Sequence, residues 1–185
     1  MTDAPIPGFS LRIDPTWPYR NLWIHPLGEI INLTYVDFEG GISDSSSPNY
    51  AETEIPGRGE SYSTYINTTN KEITFTTQFR VQGTGALAMD REVVQPARWL
   101  DACKHPIYDD ATNLMVAPPP LLLRIGRLYF IRGVITSADI TWTQPFDTIT
   151  LLPHGAEVSV TMKVVRRYSP DMGYRYESIT QGVWR

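Results

Sequence analysis

Cysteine is nearly absent from this 185-residue chain, histidine is scarce, and no apolar run approaches the length needed to cross a bilayer. Cys103 stands alone, so no disulfide forms within the chain and a cystine-stapled secreted framework is excluded. The histidines His25, His105 and His154 each lie beside a proline, and none has the cysteine or carboxylate spacing of a metal motif. Charged residues make up 19% of the chain with a formal net charge of -4 and no long run of either sign. The electrostatic footprint of a nucleic-acid-binding domain is therefore missing. No Walker phosphate loop or dinucleotide fingerprint is present, and Gly83-Thr84-Gly85 is too short to stand for one. The start, Met1-Thr2-Asp3-Ala4-Pro5-Ile6-Pro7, lacks the basic and apolar regions of a signal peptide, which predicts soluble synthesis in the cytosol.

The remaining candidates for chemistry have plainer readings. Asp37 with Glu39 and Asp109 with Asp110 are acids of the kind found on ordinary loops, and nothing in their spacing pairs them across space. Cys103 and His105, two residues apart, do not share a helical face, so the thiol reads as a small buried hydrophobe. Gly57-Arg58-Gly59 reads as a turn before a strand rather than an anion nest. No catalytic, cofactor-binding or metal-ligating residue is assigned, no cofactor is expected, and the chain is not read as an enzyme.

What is present in quantity is strand pattern. From Lys71 to Val81, Ile73, Phe75, Phe79 and Val81 alternate with Glu72, Thr74, Thr76, Gln78 and Arg80, the period of a strand with one buried face. Residues 156–164 repeat it, with Ala156, Val158, Val160, Met162 and Val164 on one side. Glu29 to Phe38, Ser61 to Ile66 and Leu121 to Ile125 are further strands. Residues 40–56 read as a long loop, and 61–66 is expected to form a hairpin with 71–81. Leu128 to Trp142 is the longest strand, with Leu128, Phe130, Val134, Ala138, Ile140 and Trp142 assigned to one face and Tyr129, Ile131 and Ile135 to the other. Gly133 marks a bulge, bend or close backbone approach within it. One helix is expected over Val93 to Lys104, its regular part starting near Gln95 because Pro96 belongs in a first turn.

Proline and aromatic residues define the flanks. Pro5, Pro7, Pro15, Pro18 and Pro26 deny residues 1–27 regular structure over any useful length, while Trp17, Tyr19, Leu22, Trp23 and Ile24 make the segment too apolar for a solvated tail. It reads as an N-terminal arm ordered by lying on another surface, that of its own domain or of a neighbour. Residues 168–185 read as a second, basic and aromatic arm. The organisation expected is thus arm 1–27, β domain 28–167 and arm 168–185, with aromatic residues in excess of what one small core buries.

The order Ile55-Pro56-Gly57-Arg58, Lys71-Glu72-Ile73-Thr74-Phe75, Pro118-Pro119-Pro120-Leu121-Leu122-Leu123, Gly133-Val134-Ile135-Thr136-Ser137 and Gly155-Ala156-Glu157-Val158-Ser159-Val160-Thr161-Met162 resembles the tube-related domain of phage tails and contractile injection systems. That domain also opens LysM-bearing tube-end proteins. The resemblance covers roughly residues 29–166. It implies a mainly β, tail-tube-like antiparallel sandwich or barrel with one packed helix and extended terminal arms. It implies a structural role in a virion tail or baseplate, as a ring-forming tube initiator or adaptor that meets copies of itself and tail-tube, baseplate or hub proteins. No sequence-specific nucleic-acid binding and no membrane insertion are implied. No LysM module follows in this sequence, which argues against peptidoglycan binding. Under the resemblance, Trp17, Trp23, Tyr174 and Trp184 are the expected partner contacts, Gly57 and Gly133 structural positions, and Glu72 and Arg80 outward-facing residues. The alternatives are a monomeric carbohydrate- or peptide-binding β domain, which needs a concave aromatic cluster, and a metal-dependent hydrolase, which needs converging histidines and carboxylates.

Overall fold

The computed structural model describes residues 9–33, 41–53, 62–68, 70–126 and 129–165. Its strands are β1 (Phe9–Ile13), β2 (Ile30–Asn32), β3 (Ser43–Ser45), β4 (Pro48–Thr53), β5 (Tyr62–Thr68), β6 (Glu72–Arg80), β7 (Ile107–Asp109), β8 (Leu114–Val116), β9 (Leu121–Ile125), β10 (Tyr129–Phe146) and β11 (Pro153–Val164). Seven form one antiparallel sheet in the order β2-β1-β9-β10-β11-β6-β3, and β4-β5 and β7-β8 are separate two-stranded ladders. The chain is mainly β, as its alternation predicts, and the large sheet is not closed.

Register explains the core. Ile73 opposes Met162, which opposes Ile135; Phe75, Val160 and Ala138 form the next row, and Phe79, Ala156 and Trp142 close the sequence. All of these except Trp142 are buried, and each fully buried side chain of this size contributes about 1.5–3 kcal/mol relative to exposure. The sheet curls over this face. Phe9 of β1 and Phe75 of β6 meet edge to face with centroids 5.5 Å apart, although three strands lie between theirs. A flat sheet would separate them by about 19 Å at the usual spacing between strands.

A continuous helix over residues 86–102 packs against β6, β10 and β11, placing Val93, Ala97, Trp99 and Leu100 in the same core. It begins earlier than the sequence suggests. Gly85, at φ +90°, ends the preceding turn and admits Ala86–Met89; Asp90–Val94 then widen into a π turn before Gln95–Ala102. Pro96 supplies the physical reason. It has no amide proton and its ring crowds the carbonyl four residues back, and the wider turn relieves both conflicts while Gln95 N–H reaches Asp90 O.

Three other expectations need correction. The faces assigned to the longest strand merge, because an irregularity between Ile135 and Ser137 leaves Thr136 as an extra residue. Ile131 and Ile135 before it, and Ala138, Ile140 and Trp142 after it, therefore point to one side. Gly133 is the close approach: a Cβ there would lie 2.8 Å from Lys163 O. Second, β5 pairs with β4 rather than with β6, so the region read as a loop from residue 40 contains two strands. The apolar face of β6 is satisfied by β11, and β5 offers no such face. Third, the N-terminal segment read as an arm supplies β1, which sits between β2 and β9, because the residues between Pro7 and Pro15 are free to form a ladder. The strand expected over Glu29 to Phe38 is present as β2 in its described part; residues 34–40 lie outside the described residues.

Candidate functional site

Tryptophans lock the segment between β1 and β2 onto the body. Trp99, fully buried on the helix, donates its indole N–H to Gly28 O at 2.9 Å, and Trp23 donates to the same oxygen at 2.9 Å. The two rings meet edge to face at 5.6 Å. Gly28 adopts φ +70°, a left-handed turn closed by its N–H bond to His25 O. Arg20 holds the turn through a two-pronged contact with Glu29, Nε donating to Oε1 at 3.0 Å and Nη2 to Oε2 at 2.6 Å. Trp17 is only 8% exposed and belongs to the core. Of the four expected partner contacts, Trp17 is thus turned inward, Trp23 is half-buried against Trp99, and Tyr174 and Trp184 lie outside the described residues, as does Gly57. A single sequence separates a tryptophan that closes its own core from one that waits for a partner only through long-range hydrogen bonds, and those are invisible in it.

The β4-β5 ladder is the opposite case. No described side chain in it is buried: Tyr50 and Tyr65 stack edge to face at 5.8 Å in solvent, and Ile66 is exposed beside them. Tyrosine on a strand was the available signal, and the loop reading of residues 40–56 hid it.

Glu72 and Arg80 are exposed at opposite ends of β6, as their alternation predicts, and Arg80 donates to Gln78 Oε1 at 2.9 Å. An open notch of about 430 Å³ lies over Gly155, lined by Gln78, Arg80, Thr143, Gln144, His154 and Glu157, with the single aromatic Phe79. His25 stacks on Trp23, and burial lowers its pKa; its Nδ1 accepts the Leu27 N–H at 3.2 Å, the arrangement of a neutral ring. His105 stands 4.0 Å from an Asp101 carboxylate oxygen. Among the described residues no group of three or more His, Cys, Asp or Glu side chains is placed to hold a metal ion. Burial pushes the Cys103 thiol well above its ordinary range, which suppresses the thiolate. Glu92 is held low by the backbone N–H groups of Gln82 and Gly83, which pin the end of β6 to the helix.

No helix among the described residues is long and apolar enough to cross a membrane. Fold and surface together define a mainly β domain carrying exposed hairpins. No family model matches the chain, and no curated protein matches it. Among solved structures, a chain from the tail of an empty GTA (gene transfer agent) particle, computed with helical refinement in C6 symmetry, is similar over 88% of this chain and 94% of that chain. The identity is 12% and the TM-score 0.41, a likeness that assigns no role to any residue.

Proposed function

We propose that this protein is a structural component of a phage-like tail, a ring-forming subunit at the tube end or baseplate that joins the tail tube to its neighbours. The observation that carries the reading is the β4-β5 ribbon, a two-stranded ladder with no buried side chain among the described residues, which is marginal in water by itself and gains order by lying on another subunit. The order of short motifs from Ile55 to Met162 supports the tail assignment. Contacts between unlike faces of identical chains close into rings, and exposed hairpins are suited to reach across such contacts. In this reading Trp23, Tyr174 and Trp184 contribute arm contacts, while Trp17 helps to hold the N-terminal segment in place. The test is the mass distribution of the untagged protein across a concentration series, followed by particle imaging. Discrete rings or stacked rings are expected. A chain that stays monomeric at every concentration overturns the ring-subunit reading and favours a monomeric binding domain.

A further inference from the structure

Three described arginines share the outer face of the sheet where β1, β9 and β10 lie side by side, and only one of them is neutralised there. Alternation puts Leu11, Ile13, Leu121, Leu123 and Ile125 in the core and turns Arg12, Arg124 and Arg132 away from it. Arg132 Nε meets the buried carboxylate of Asp14. Neither the Arg12 nor the Arg124 guanidinium has a hydrogen bond or an ion pair among the described residues. The Arg12 Nε is also buried, a donor without an acceptor.

Register fixes how these two cations stand. Arg12 opposes Leu122 and Arg124 opposes Ser10, so the arginines are diagonal neighbours on adjacent antiparallel strands, about 7–8 Å apart. Each has an exposed apolar residue directly across the next strand: Ile30 lies beside Arg12 and Phe130 beside Arg124, 39% and 46% exposed. Two like charges at that spacing repel, and no carboxylate among the described residues offsets them. Arg20 shows what a guanidinium of this fold does with an acid in reach, taking Glu29 through Nε and Nη2 together.

We propose that Arg12 and Arg124 form a docking site for an extended acidic segment of a partner protein, one that carries carboxylates on alternate residues. Alternate side chains of an extended chain lie on one side about 6.6 Å apart, close to the separation of the two arginines. Each carboxylate takes one guanidinium in the two-pronged manner, which gives Arg12 Nε its acceptor. Ile30 and Phe130 receive the aliphatic stems of the acids. These apolar flanks and the formal net charge of -4 favour a peptide over a nucleic-acid backbone, which binds through continuous basic surface. The site stands independently of the ring-subunit reading.

The test uses the full chain labelled with nitrogen-15 and three probes: the end-blocked peptide Ser-Glu-Thr-Glu-Ser, its Ser-Gln-Thr-Gln-Ser counterpart, and inorganic phosphate. Arginine Nε–H resonances, assigned through Arg12→Gln and Arg124→Gln, read the contact directly. The acidic peptide is expected to shift both resonances saturably, to bind each variant about tenfold or more weakly, and to lose affinity as salt rises. Arg80→Gln removes a cation of β6 that is already engaged by Gln78, and should leave the affinity unchanged. Circular dichroism confirms that each variant is folded. Saturation by the amide peptide, undiminished binding by the Arg12 and Arg124 variants, or no shift at all overturns the proposal. A stronger response to phosphate than to the acidic peptide also overturns it and assigns the pair to an inorganic oxyanion. Wild-type rings that ignore the peptide sink this inference alone, whereas a monomer that binds it sinks only the ring-subunit reading.

Discussion

The ladder of β6 and β11 and the ladder of β4 and β5 use the same antiparallel hydrogen bonding and share almost no other property. Beneath the first lie Phe75, Val160, Ile73 and Met162, all within a core that the helix covers. In the second no side chain whose burial is described is buried, and Tyr50 and Tyr65 meet at the surface. Each backbone hydrogen bond contributes about 0.5–1.5 kcal/mol net, since water satisfies the same groups in the unfolded chain. Apolar burial therefore decides which ladder anchors the fold. The other contributes little side-chain burial to the stability of the domain.

The strongest way to break this comparison is in the core. Trp99→Ala removes a fully buried indole and one donor to Gly28 O, and is expected to lower the unfolding free energy by about 3–5 kcal/mol in urea titration. Gly133→Ala should cost about 1–3 kcal/mol by the same measurement, because its Cβ meets backbone at 2.8 Å. Thr77→Val has the opposite sign. Its buried hydroxyl has no hydrogen-bond partner, so removal should raise stability by about 1 kcal/mol, seen as an increase in Tm. Tyr50→Ser with Tyr65→Ser should change monomer stability by under about 1 kcal/mol while reducing self-association in the mass distribution. A loss as large as that of Trp99→Ala would erase the distinction between the ladders. The smallest effect concerns Asp147, whose carboxyl is held below its usual range, first by the Ile149 N–H and then by the Thr150 hydroxyl. A depressed folded pKa gives a contribution that is complete above the unfolded value near about 3.9 and is lost as pH falls through the folded one. Amide exchange at Ile149 should accordingly stay slow at mildly acidic pH and accelerate only below the ordinary carboxylate range.

Strands with one buried face were legible because burial writes itself into alternation. The expected strands at 71–81, 121–125 and 156–164 correspond to β6, β9 and β11 within a few residues. Where alternation breaks, the reading fails for definable reasons. Thr136 inserts one residue into β10 and reverses the phase of everything after it, a change that a fixed period of two cannot register. The β4 strand has no apolar face to write, so residues 40–56, with their serines and prolines, read as loop. Pairing partners were also out of reach: β6 takes β11, about eighty residues away, in preference to the adjacent β5. The outward placement of Glu72 and Arg80 was legible for the same reason as the strand that carries them. The inward turn of Trp17 was not, since it depends on β1 joining the sheet beside β9.

Gly28 O receives indole protons from two tryptophans whose rings lie 5.6 Å apart at 75°. To an optical spectroscopist these are two strongly coupled transition dipoles at a fixed angle, one on the segment before β2 and the other on the helix. The near-ultraviolet circular dichroism of the protein therefore carries a built-in, label-free reporter of whether that segment is seated.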